Sequence, residues 1–212
     1  MKPPPPSKEF FEVRASTWDT LHPPAPQAQA IGWGLECVHQ HWGALLGKTL
    51  VDMGCGTGVL VPHLLEALGE GKLWAVDCAQ AMVAQAKAKH ADARLQLVCE
   101  DALCWAVPPG GVDGVLCYNS FPHFPQEETL KTVAFWLRSG GFFLIWHNFG
   151  RKHINSIHRE AGGAVAKDRL MPSTALAALA LRQGFEVLSQ TDDGQRWLVL
   201  LKKVLAVAEK TP

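Results

Sequence analysis

The sequence predicts an α/β fold: a doubly wound, seven-stranded, mostly parallel sheet with helices on both faces and a C-terminal antiparallel hairpin. Three observations predict it. From Thr49 onward, short β-rich runs alternate with helical stretches, the rhythm of right-handed βαβ units. Val112–Tyr118 is apolar nearly throughout, as a strand covered on both faces must be. Near the C-terminus Asp193-Gly194 lies between two β-rich runs, and Asp-Gly there favours a tight hairpin turn.

Residues 1–46 precede this alternation as an N-terminal extension. Its first eight residues are proline-rich and expected to be extended or disordered. Glu9–Asp19 carries Phe10, Phe11, Val13 and Trp18, which predicts a short amphipathic helix; Pro23-Pro24-Ala25-Pro26 then separates it from a longer helix over Gln27–Leu46. The domain proper spans 47–205. Its strands are expected at Thr49–Met53, Lys72–Asp77, Leu95–Cys99, Val112–Tyr118 and Gly141–His147. Helices are expected at Gly58–Leu68, Ala79–His90 and Gln126–Leu137, with only a short turn around Ala102–Ala106. Residues 149–172 form a substrate-side insertion, broken at Gly162-Gly163. A helix at Ser173–Gln183 ends at Gly184, a plausible cap residue. The hairpin strands are Phe185–Thr191 and Arg196–Val204, and 206–212 are a tail.

Charge narrows the partners. Lys plus Arg and Asp plus Glu each total 20, so the formal net charge is zero and no basic excess points to nucleic acid or an anionic membrane. The richest apolar stretch, Val133–Phe149, is interrupted by Arg138-Ser139-Gly140-Gly141, short of the roughly 20 residues a span needs. Pro3–Pro6 stands where a signal peptide would have its apolar helix, so a cytoplasmic location is expected. The six cysteines include no CxxC pair, and Cys78, Cys99 and Cys117 fall within or at the ends of strands, which predicts reduced core thiols. Oligomeric state leaves no mark on the sequence.

The decisive segment is Val51-Asp52-Met53-Gly54-Cys55-Gly56-Thr57-Gly58, between the first strand and its helix. Glycines there permit positive φ and let a ligand approach the backbone. A loop at the carboxyl end of a central strand is where doubly wound sheets bind ligands. Asp77 closes the next strand, where a carboxylate can accept both hydroxyls of an adenosine ribose. The G-x-G-x-x-G/A pattern of dinucleotide sites fails, because counting from Gly54 its last position is Val59. A carboxylate at Asp52 would repel a pyrophosphate but suits a ligand carrying an ammonium group.

These residues resemble the class I S-adenosylmethionine-dependent methyltransferases over Thr49 to Lys203, and more particularly the small-molecule branch that includes ubiquinone and menaquinone methyltransferases. The resemblance implies S-adenosyl-L-methionine as cofactor, held by Asp52, Gly54, Cys55, Gly56, Gly58, Asp77, Cys78 and Met82. It adds Asp101 and Ala102, in the Cys99–Ala102 segment the family places by the adenine amino group, and Asn119, opening the Asn119–Phe124 segment by the methyl-transfer pocket. Leu137-Arg138-Ser139-Gly140-Gly141 resembles the family's L-x-P-G-G turn, with Ser139 in place of proline. Phe10-Phe11 and Trp18-Asp19 resemble the short helix such enzymes fold over the cofactor, so residues 1–46 are a candidate lid.

The implied activity is methyl transfer to a small-molecule nucleophile, with oxygen, sulfur and carbon acceptors all open. His147 and His123 are the candidate catalytic residues, since each follows a strand on the rim and imidazole titrates near neutrality. Phe121, Trp146, Arg151 and His158 are the candidate substrate contacts, the first two apolar and the third suited to an anionic group. No metal is expected: His153 and His158 stand five apart, where helical ligand pairs stand three or four apart. Asn-Ser-Phe-Pro after the fourth strand differs from the Asn/Asp-Pro-Pro-aromatic string of amino-methylating nucleic-acid enzymes, so no nucleic-acid partner is expected. The alternatives are a non-catalytic S-adenosylmethionine-binding or scaffold protein and, more remotely, an NAD-type oxidoreductase.

Overall fold

A computed structural model describes residues 5–107 and 111–204, so the tail 206–212 and the first four residues of the proline-rich start lie outside the described residues. The chain opens with α1 (Lys8–Glu12), a 3-10 turn at Ala15–Thr17, α2 (Trp18–Leu21) and α3 (Pro24–His41). There follow β1 (Thr49–Met53), α4 (Val61–Leu68), β2 (Lys72–Asp77), α5 (Gln80–Lys89), β3 (Leu95–Cys99) and β4 (Val112–Tyr118). The rest comprises α6 (Gln126–Trp136), β5 (Leu137–His147), α7 (Arg151–Ala161), α8 (Ser173–Arg182), β6 (Phe185–Asp192) and β7 (Trp197–Lys203).

The seven strands form one sheet in the order β3-β2-β1-β4-β5-β7-β6. Strands β1 to β5 are parallel, and β7 inserts antiparallel between β5 and β6. Side chains alternate faces along each strand, so β5 sends Phe142, Leu144 and Trp146 to one apolar layer and Phe143 and Ile145 to the other. The first layer is completed by Ile31 and Val38 of α3 and Leu64 and Leu68 of α4; the second by Leu130 and Val133 of α6 and Leu176 of α8. The order reverses between β1 and β4, which opens a crevice at their carboxyl ends.

Several features differ from expectation: β5 starts at Leu137 instead of Gly141, and others depart for a local reason. The helix expected over Glu9–Asp19 breaks after Glu12, because the turn buries Ala15 against Ala79 and Met82 while Phe11 and Trp18 pack beside it. Helix α3 starts at Pro24 instead of Gln27, since a proline in the first turn has no intrahelical N–H bond to lose and a φ already suited to helix. It ends at His41, ahead of Gly43 with φ +132°. Helix α4 starts at Val61 instead of Gly58, whose φ of +86° no right-handed helix accommodates. The cysteines are free thiols as expected, but only Cys37, Cys55 and Cys117 are buried; Cys99, on edge strand β3, and Cys104 are exposed. Among the described residues no helix is long and apolar enough to cross a membrane.

Candidate functional site

The loop between β1 and α4 turns through three glycines, Gly54, Gly56 and Gly58, with φ of +74°, +53° and +86°. Gly54 and Cys55 donate their backbone N–H groups to the Val76 carbonyl (2.9 and 3.1 Å), tying the loop to β2. A Cβ at Gly54 would meet Ser120 Oγ at 2.6 Å, and one at Gly58 would meet His90 at 2.9 Å. A Cβ at Gly56 would meet nothing within 4 Å. The first two glycines named there allow close internal packing, while Gly56 leaves open the side from which a ligand can approach.

Asp77 holds this loop to the next. Its carboxylate accepts the Gly56 N–H through Oδ2 and the Ala79 N–H through Oδ1, both at 2.9 Å. Burial raises the Asp77 carboxyl above its ordinary value, against these two hydrogen bonds and the nearby charge of His123. Asp52 is only 1% exposed, and its Oδ2 has no hydrogen-bond partner among the described residues. Burial, with Asp77 adding to it, pushes the Asp52 carboxyl up to about 8, so at neutral pH it carries a proton.

The remaining residues expected at the cofactor lie along this edge. Cys78 is half-buried, its thiol pushed up to about 12 by burial and by Asp77 and Asp101, so it is inert as a nucleophile. Met82 is buried beneath Ala15 of the N-terminal segment. Asp101 Oδ1 accepts the Leu103 N–H at 3.0 Å, which fixes the turn carrying buried Ala102. Asn119 takes φ +55° and its Oδ1 accepts the Asn148 N–H at 3.0 Å, bracing the loops after β4 and β5 against each other.

Three residues strap the N-terminal segment across the rim: Phe11 and Asp19, from the pairs that carried the lid expectation, and Glu12 between them. Glu12 accepts the Gln80 and Ala81 N–H groups at the start of α5 (2.7 and 2.8 Å), where the helix dipole favours a carboxylate. Asp19 accepts the Thr57 hydroxyl at 2.6 Å and pairs with Lys89 at 2.7 Å. Phe11 stands edge-on to the His123 ring, with 4.9 Å between centroids. None of these contacts has a local sequence signal, because each joins residues far apart in the chain.

At the other end of the rim the expected residues separate. His123 Nδ1 lies 2.6 Å from Asp168 Oδ2, and the His158 ring sits 4.8 Å from that of His123. His158 is buried and its Nδ1 hydrogen-bonds the Asp168 carbonyl at 3.1 Å. His147 is 1% exposed, neither ring nitrogen has a hydrogen-bond partner among the described residues, and burial pushes it down to about 3. A base that weak takes no proton near neutrality, so His147 is unsuited to the proton-accepting role expected of it. Phe121 and Trp146 are wholly buried. Trp146 faces α3, donating its Nε1–H to the Ala30 carbonyl at 3.1 Å, and Phe121 packs edge-on to Phe143. Both therefore fill core space instead of lining an open pocket. Arg151 is engaged by Asp192 of the hairpin at 2.9 Å, which already balances its charge. Among the described residues no group of three or more His, Cys, Asp or Glu is arranged to hold a metal ion.

Residues 50–141 match the family model of a methyltransferase domain. Over 149 residues the chain is 23% identical to the ubiquinone biosynthesis O-methyltransferase of Chromobacterium violaceum, covering 68% of this chain and 62% of that protein. Over 54 residues it is 39% identical to the malonyl-[acyl-carrier protein] O-methyltransferase of Anoxybacillus flavithermus, covering 26% of this chain and 21% of that one. The chain thus spans under two thirds of the length of either relative. Its fold matches a chain in the complex between the Haloferax volcanii Trm112 methyltransferase activator and a methyltransferase, with a TM-score of 0.75, 16% identity, and coverage of 94% of this chain and 98% of that one.

Proposed function

We propose that this chain, whose residues 50–141 match a methyltransferase domain on a class I methyltransferase fold, carries out S-adenosylmethionine-dependent methyl transfer to a small molecule. The observation that carries the reading is the pairing of an open Gly56 with two acids beneath it, Asp77 anchored by backbone N–H groups and Asp52 buried with an oxygen unpartnered. This arrangement fits S-adenosylmethionine: the glycine turn admits close approach, Asp77 lies where ribose hydroxyls can reach it, and the acids suit a cationic ligand. Gly54, Cys55, Gly58, Cys78, Met82, Asp101, Ala102 and Asn119 complete the proposed cofactor wall.

The bound cofactor supplies a methyl group already activated on a sulfonium. What the chain contributes is position and exclusion of water. The glycine loop and Asp77 hold one end of the site, the Asn119–Asn148 bond fixes the loops facing it, and the segment strapped by Glu12 and Asp19 covers it.

Calorimetric titration with S-adenosylmethionine, its demethylated product and NAD tests the reading. Micromolar binding of the first two and none of NAD is expected; failure of both sulfur compounds to bind refutes it. A second reading, a non-catalytic subunit that binds S-adenosylmethionine within an assembly, draws on the structural neighbour bound to an activator protein. Cofactor binding without turnover across a panel of small acceptors would favour it.

A further inference from the structure

We propose that His123 and Asp168 form a proton-accepting pair for a hydroxyl-bearing methyl acceptor, His123 taking the proton and Asp168 orienting the ring. The proposal rests on the methyl-transfer reading and names the acceptor class that reading leaves open.

The geometry is that of a base and its orienter. His123 Nδ1 and Asp168 Oδ2 are 2.6 Å apart, with side chains only 12% and 22% exposed. A carboxylate can only accept, so the shared proton sits on Nδ1 and the lone pair of the neutral ring is on Nε2. Nε2 makes no hydrogen bond to any described residue. His123 also stands at the right place. It follows β4 in the loop that Ser120 ties to the Met53 carbonyl at 3.0 Å, where β1 enters the glycine turn. Phe11 of the covering segment lies against its ring.

Asp168 is held as a positioning residue must be. Its N–H donates to the Val165 carbonyl at 3.0 Å, and its own carbonyl accepts from His158 Nδ1 and Arg169 Nη1 (3.1 and 3.0 Å). Two residues on, Asn155 of α7 clamps Leu170 from both sides, its Nδ2 donating to the Leu170 carbonyl at 3.0 Å and its Oδ1 accepting the Leu170 N–H at 2.8 Å. An incidental surface ion pair needs no such support. The other groups facing the ring do not compete for the proton. Burial holds both His158 and His147 below their ordinary values, His147 near 3.

A fixed base selects among acceptors. Thiols ionise near neutrality and carboxylates are already ionised, so neither needs one, whereas a phenol, with its pKa about 10, or an alcohol does. As the acceptor's O–H bond breaks, its proton passes to Nε2. The oxygen pair then forms the bond to the methyl carbon, and the carbon–sulfur pair stays on sulfur, leaving a neutral thioether. The proton on His123 afterwards returns to water.

The test begins without cofactor, on the full chain, by recording the ring ¹⁵N shifts of His123. The wild type should show the proton on Nδ1. In Asp168→Asn the amide can donate to Nδ1, so the proton should move to Nε2. With S-adenosylmethionine, Asp168→Asn should lower kcat on catechol and related phenols by about 100-fold or more. Cofactor affinity and thiol methylation should change by less than about threefold in the same variant. A wild-type ring protonated on Nε2, undiminished phenol turnover in Asp168→Asn, equal loss on phenols and thiols, or a wild type inactive on hydroxyl acceptors while binding cofactor would each overturn the proposal. Absence of cofactor binding would instead refute the methyl-transfer reading and leave the tautomer measurement standing.

Discussion

The β1–β2 end of the rim holds two buried carboxyls, Asp52 and Asp77, whereas the β4–β5 end holds two buried histidines, His147 and His158. Burial acts on both in the direction of neutrality, raising the acids and lowering the bases. Each end also pairs an anchored group with an orphan. Asp77 is held by two backbone N–H groups and His123 by Asp168, while Asp52 and His147 have polar atoms without partners among the described residues. The anchored groups keep a fixed direction, which suits them to hold or relay. The orphans are the groups whose protonation a bound ligand or a change of pH can alter. On the proposed reading, the acid end suits a cation and the histidine end an uncharged acceptor.

The hardest blow to this division is Gly56→Val. The new side chain enters the open side of the loop and strains a φ of +53°, so cofactor binding should weaken by more than about 100-fold, with about 1–3 kcal/mol of stability lost. Calorimetry and thermal unfolding read the two effects, and normal binding would place the ligand elsewhere. Asp77→Ala removes an anchored acid and should weaken cofactor binding by about 1–3 kcal/mol. Unchanged affinity in the folded variant would remove Asp77 from the ligand.

Smaller effects separate the orphans. His147 sits near 3 in the folded chain against an ordinary 6.5, so the unfolded state takes up a proton that the folded state refuses. Stability should fall as pH drops through 6.5 toward 3, and His147→Phe should flatten that fall in a series of melting curves. An equally steep fall in the variant would show that His147 is not its source. Asp52 has the opposite sign: with its carboxyl at about 8 against 3.8, it favours folding in acid and loses that contribution as pH rises through 8. A cationic ligand ionises it, so binding near pH 7 should release close to one proton, and Asp52→Asn should abolish the release. Binding heats measured in buffers of different ionisation enthalpy would show this, and no buffer dependence would mean that the ligand's charge does not reach Asp52.

The legibility of the two ends differs as their chemistry does. Strands β1 to β4 fall where their apolar runs predict, residue for residue; in β1 and β4 burial on both faces requires a continuous run and tolerates little slippage. The acid end is contiguous: one strand-loop-helix passage carries Asp52 and all three glycines, and Asp77 closes the next strand. Helix α3 was harder to bound, since a proline marks a break or a first turn depending on where the helix begins. Phe121 and Trp146 show another limit, because an aromatic residue beside a rim looks the same in sequence whether it faces a ligand or the core.

By itself the sequence determined the sheet, its hairpin and the glycine turn between two acids, because each is specified by neighbours along the chain. Only the tertiary structure decided which histidine has a partner. Asp168 reaches His123 across 45 positions, through a segment that α7 and the Asn155 clamp carry back to the rim, and His147 is buried edge-on to Trp197. No local pattern encodes either outcome, since burial and partnership depend on which distant residues packing brings together.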